Sequence, residues 1–140
     1  MHSRQTNERH VLNIFKTSII SFMDELIDQF PSETALILGR ILLKDQIPIE
    51  VTMRDFITKI ERNDGLLKKL IKNKDSKFFL EHNIFSLESN SDVSMSGTTT
   101  NHFRTIWLSE LDDHDREVMW KWFESFVALA EKYQEVLSSI

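Results

Sequence analysis

Residues 112–138 read DDHDREVMWKWFESFVALAEKYQEVLS. Met119, Phe123, Phe126, Ala130, Tyr133 and Leu137 recur in steps of three and four, the spacing that gathers side chains on one helical face. Trp122, Leu129 and Val136 widen that stripe, and no Gly or Pro interrupts the segment. Asp112 offers a carboxylate to the unpaired N–H groups of a first helical turn. Asp113 and Asp115 then sit at the positive end of the helix dipole. A helix this long with one apolar stripe has to lay it on other helices, and the first long segment is its expected neighbour. Trp120 stands off the stripe, roughly 160° from Trp122 and roughly 60° from Phe123 by helical geometry. It is therefore expected to be a partly exposed contact, and with Trp107 it forms the candidate protein-binding pair.

Working back from this helix, Phe103, Ile106, Trp107 and Leu108 form an apolar approach to it. Residues 88–101 are small, polar and without periodicity, and are expected to form a mobile surface loop. Before them, residues 66–77 read LLKKLIKNKDSK. Leu66, Leu67, Leu70 and Ile71 fall inside a short helix and Lys68, Lys69 and Lys72 outside it. Asp75 or Ser76 is placed to cap a further short helix at Phe78, Phe79 and Leu80. Asn63-Asp64-Gly65 reads as a turn. The helix ahead of it, from about Thr52 to about Arg62, has the face Met53, Phe56, Ile57 and Ile60.

The first long segment, from about Thr6 to Phe30, carries Val11, Leu12, Phe15, Ile19, Phe22, Met23, Leu26, Ile27 and Phe30 on one face. Pro31 ends it, because the residue before a proline is pushed out of the helical region. Ser32 is expected to cap the second helix, about Ser32 to Lys44. Ala35, Leu36, Ile37, Leu38, Ile41, Leu42 and Leu43 surround that helix with apolar groups, which predicts a central and largely buried position. Gly39 within it is expected to let a neighbouring backbone come close. Ile47-Pro48-Ile49 reads as an extended connector.

The whole is 140 residues, with 41% apolar, 28% charged and 10% aromatic residues, 3 Gly and 2 Pro. That is enough apolar surface for one core, and it excludes disordered and collagen-like chains. No apolar run is long enough to span a bilayer. The polar N-terminus contains no signal-peptide h-region and no lipidation motif, so the expected setting is intracellular. With no cysteine, disulfides, thiolate metal sites and a thiol nucleophile are excluded. The net charge of −5 argues against a dedicated nucleic-acid binder. Residues 40–77 nonetheless hold 10 bases against 6 acids, and residues 81–140 hold 4 bases against 11 acids.

Catalytic signatures are missing. The five histidines form no HExxH, and Asp112-Asp113-His114-Asp115 point in different directions around a helix and read as cap acids rather than metal ligands. Three isolated glycines build neither a P-loop nor a dinucleotide fingerprint, and there is no nucleophile elbow. The chain is expected to be no enzyme and to use no cofactor.

Phe78-Phe79, Asn83-Ile84-Phe85, Ile106-Trp107-Leu108, the acidic cap and Glu117-Val118-Met119-Trp120-Lys121-Trp122-Phe123 resemble small uncharacterised helical proteins of nucleocytoplasmic large DNA viruses. Those proteins end an N-terminal helix in Phe-Pro, as Phe30-Pro31 does here, and carry an Ile-Trp-Lys-Tyr-like turn where this chain has Met119-Trp120-Lys121-Trp122. The likeness covers about two-thirds of the chain and departs from the pattern at Trp122. It brings no activity and no site residues with it. It implies a viral protein of the host cytoplasm or the virion.

The expectation is thus an all-α, single-domain bundle of five to six helices over residues 1–140, with long first and last helices. Its expected function is non-enzymatic, a protein-interaction or structural role with a viral or host protein as partner and a homo-oligomer possible. The alternative is a nucleic-acid-associated accessory factor using Lys68, Lys69, Lys72, Lys74 and Lys77.

Overall fold

The computed structural model describes residues 2–80 and 111–138. The expected loop at 88–101, and Trp107 with it, lie outside the described residues. The described chain is helical throughout, with no strand. Its elements are α1 (His2–Gln29), α2 (Thr34–Ile41), a π-helical turn (Leu42–Gln46), α3 (Ile49–Lys72), a single helical turn (Lys77–Leu80) and α4 (Asp113–Ser138). They group into two compact units, Met1–Phe56 with Phe126–Ile140, and Ile57–Ser125.

In the first unit α1 follows its periodicity. Val11, Phe15, Ile19, Phe22 and Leu26 are buried in steps of three and four, with Met23 beside them. Phe30 is out of the helix, its N–H still donating to the Leu26 carbonyl at 2.8 Å, and Pro31 opens the turn. The second helix begins two residues later than the sequence suggests. Its N-cap is Glu33, at φ −84° and ψ 90°, with no side-chain cap bond, so Ser32 does not cap it. The helix then widens. The Ile47 N–H reaches back five residues to the Leu42 carbonyl at 2.8 Å, which makes the π turn and turns Ile47 inward. Helix α1 packs on both α2 and this turn.

Phe126 of α4 is the hub of the same unit. Its ring meets Phe22 at 5.6 Å, Phe15 at 6.0 Å and Phe56 at 6.4 Å between centroids, each near edge-on. The expected packing of the last long helix on the first is therefore present in these rings. Such edge-to-face contacts add about 0.5–1.5 kcal/mol each beyond the area they bury.

Helix α3 starts earlier than its apolar face suggests. The Pro48 carbonyl accepts from the N–H groups of Val51 and Thr52, and a proline at a helix start loses no useful donor. The expected turn at 63–65 is present inside α3. Asn63, Asp64 and Gly65 take left-handed conformations in succession, at φ 55°, 57° and 75°. Such backbone is disfavoured for side chains bearing a Cβ, and Asn, Asp and Gly are the types that tolerate it. A Cβ on Gly65 would meet only ordinary contacts, so φ rather than space is what calls for glycine there.

In the second unit, the 66–72 part of α3 buries Leu67, Leu70 and Ile71. It ends in a Schellman motif: the Asp75 N–H donates to the Leu70 carbonyl and the Lys74 N–H to that of Ile71. Lys74 is the left-handed residue of this motif, at φ 51°, a place usually given to Gly. Asp75 then caps the next turn, its Oδ1 accepting from the Lys77 N–H at 3.1 Å. Phe78 of that turn is buried against Phe123, with centroids 5.0 Å apart.

Candidate interaction surface

The acidic run at the start of α4 is a capping box. Asp112 Oδ1 accepts from the Asp115 N–H at 2.8 Å, and the Asp112 N–H donates to Asp115 Oδ2 at 3.3 Å. Both carboxylates are thereby committed to the helix end. Among the described residues no group of three or more His, Cys, Asp or Glu could hold a metal ion.

The expected exposure of Trp120 is corrected by the structure. Trp120 is only 4% exposed, and its ring lies 6.1 Å from that of Phe78. The stripe of α4 is wider at its start than spacing from Met119 suggests. The turn at Lys77–Leu80 presents Phe78 to the edge where Trp120 stands. Trp122, expected to point inward, is half-buried. Trp107, the other candidate, lies outside the described residues.

The five lysines do not act as one free basic surface. Lys68 Nζ lies 2.7 Å from Glu61 Oε1, across the left-handed turn. Lys74 Nζ pairs with Glu117 Oε1 at 2.5 Å, and this contact raises the lysine pKa and lowers that of the glutamate. Lys69, Lys72 and Lys77 are exposed.

The largest correction concerns α2, which is not buried. Leu36 and Gly39 face inward, but Ile37 is 39% exposed, Leu38 57% and Ile41 43%. Ile14 on α1 is the remaining large apolar side chain exposed among the described residues. An isolated exposed apolar residue is ordinary, whereas three within one short helix form a patch that asks for a partner. The sequence signalled this helix by its apolar density. What it did not carry was the number of neighbours. Two turns of helix against α1 and the π turn bury one face and leave the opposite one open.

Arg40 Nε pairs with Asp24 Oδ1 at 2.6 Å, tying α2 to α1. Asp28 lies one turn along α1 from Asp24, Glu33 precedes α2, and Lys44 and Asp45 are exposed in the π turn.

One further polar group lies inside the first unit, around Tyr133, which is fully buried. Burial pushes its phenol above the usual range and the Glu50 carboxylate adds to the rise. The Arg54 guanidinium, which hydrogen-bonds the phenol and pairs with Glu50, opposes it. Thr52 and Asp55 are buried on α3, and the Thr52 hydroxyl has no hydrogen-bond partner.

Among the described residues no helix is long and apolar enough to cross a membrane. No family model, no curated protein and no solved structure matches the chain.

Proposed function

We propose that this is a non-enzymatic protein-interaction or structural protein that meets its partner through the open face of α2. The observation behind this reading is the exposure of Ile37, Leu38 and Ile41 together on a two-turn helix. The π turn that follows α2 supports it, since single π turns occur frequently at functional sites. The burial of Trp120 moves the proposed surface from the last helix to the second. The likeness to proteins of large DNA viruses extends the proposal to a viral protein of the host cytoplasm or virion. A bundle of five to six helices belongs to the same proposal, because the count depends on residues 81–110. The nucleic-acid reading is weaker, with Lys68 and Lys74 each held by a glutamate and Lys69, Lys72 and Lys77 left to carry it.

The test is a pull-down from host-cell lysate with wild type and Leu38→Gln, washed at low and high salt. A protein that survives high salt and is lost in the variant is the expected result, with helicity unchanged by circular dichroism. Nucleic acid recovered at low salt only, insensitive to Leu38→Gln and lost in a Lys69→Gln/Lys72→Gln variant, would transfer the function to the lysines.

A further inference from the structure

We propose that Asp64–Gly65 is a site of spontaneous aspartate isomerisation, restrained by the left-handed break in α3 and released when that break opens.

The sequence supplies the chemistry. The three glycines follow Leu38, Asp64 and Ser96, so Asp64 is the one acidic residue with a glycine after it. In such a pair the Gly65 amide nitrogen attacks Cγ of the Asp64 carboxyl group. The new N–C bond closes a five-membered succinimide ring, and the amide proton and the carboxyl hydroxyl leave together as water. A second water then opens the ring at either carbonyl. Opening at the side-chain carbonyl restores aspartate. Opening at the main-chain carbonyl gives isoaspartate, in which the main chain runs through the side-chain carbons. Nothing is oxidised or reduced, and water is the only co-reactant. Glycine suits this step because no Cβ crowds the attacking nitrogen.

The fold sets the rate. Ring closure needs the Gly65 nitrogen nearly eclipsed with the Asp64 Cβ about the Cα–C bond. Asp64 has φ 57° and ψ 35°. At that ψ the tetrahedral offset of Cβ in an L-residue leaves the Gly65 nitrogen nearly anti to it, so Cγ is turned away from its nucleophile. Asp64 is exposed to water, whereas Gly65 is buried. Lys68 Nζ and Glu61 Oε1, 2.7 Å apart, join the two sides of the turn. Isomerisation therefore waits on rotation of Asp64 out of this conformation. The break is also where α3 opens at least cost, because left-handed backbone is disfavoured at Asn63 and Asp64.

The experiment incubates the full chain at neutral pH, folded and in unfolding urea. Isoaspartate is followed by enzymatic methylation with an isoaspartyl methyltransferase and located by electron-transfer peptide sequencing. It is expected at Asp64 in both samples, at least about tenfold more slowly in the folded chain, since the site reacts only from an opened state. Asn63→Val puts a β-branched residue at φ 55° and is expected to bring the folded rate at least about threefold closer to the variant's own urea rate. Circular dichroism checks that the variant is still helical. If it is not, Lys68→Gln removes only the ion pair across the turn and is expected to raise the folded rate by a smaller factor. A folded rate equal to the urea rate would show that the turn does not restrain Asp64. No isoaspartate at residue 64 in urea would remove the site itself. Folded rates unchanged in both variants would disconnect the turn from the reaction. Each of these three results overturns the proposal.

Discussion

Helices α2 and α4 are both rich in apolar residues, and the structure uses them in opposite ways. Helix α4 closes its stripe: Met119, Trp120, Phe123, Phe126, Ala130, Tyr133 and Val136 are all buried. Helix α2 buries Leu36 and leaves Ile37, Leu38 and Ile41 in water. Their ends differ in the same sense, a reciprocal carboxylate cap on α4 and no side-chain cap on α2. Apolar density therefore does not measure burial. A long amphipathic stripe specifies one interior side, while a short helix that is apolar all round specifies none, and its neighbours decide how much of it is covered.

The comparison breaks most sharply at Phe126. Phe126→Ala removes the ring shared by Phe15, Phe22 and Phe56 and leaves a cavity, so urea unfolding should show a loss of about 3–5 kcal/mol. Next comes the cap. Asp112→Ala frees the Asp115 N–H and should cost about 1 kcal/mol by the same assay. Glu33→Ser supplies a hydroxyl cap where α2 has none, and should move stability the other way by a smaller amount.

Alkaline pH offers a third probe of the closed side. The folded pKa of Tyr133 is raised, so its contribution to stability is fully present below the ordinary tyrosine value of about 10 and is lost as pH rises through the folded value. Tyr133 is the chain's one tyrosine, so absorbance at the tyrosinate band reads it alone. Ionisation should be delayed relative to the denatured chain, and Tyr133→Phe should flatten the fall in stability above that pH. A tyrosinate that appears at the ordinary value would show the ring to be open to water. The smallest effect belongs to the open side. Leu38→Gln should leave the unfolding midpoint within about 0.5 kcal/mol of wild type, because an exposed side chain contributes little to folding. A large loss there would show that Leu38 is buried in solution and would remove the proposed surface.

Much of the helical layout was legible from local chemistry. Phe30-Pro31 marks the end of α1, Asn63-Asp64-Gly65 marks the break in α3, and Asp75 and Asp112 mark two helix starts. Each signal acts within a few residues, through proline sterics, left-handed tolerance or a side-chain cap. The candidate site was much less legible. The angle of Trp120 on an isolated helix suggests exposure, whereas Phe78, 42 positions earlier, packs beside it. Lys68 and Lys74 read as a basic face until Glu61 and Glu117 come beside them. The π turn after α2 had no signal that periodicity could detect, because it adds a residue to one turn without changing the composition.

The sequence by itself determined that the described residues are helical, and it marked the end of α1, the break in α3 and the helix starts at Asp75 and Asp112. It also determined which side of the long helices is apolar, since capping, backbone strain and the 3.6-residue repeat act over one or two turns. Only the tertiary structure decided which apolar side chains find cover and which charges find partners. Those outcomes depend on contacts between residues far apart in the chain. They bury Trp120 and Tyr133 and leave the outer face of α2 open to solvent.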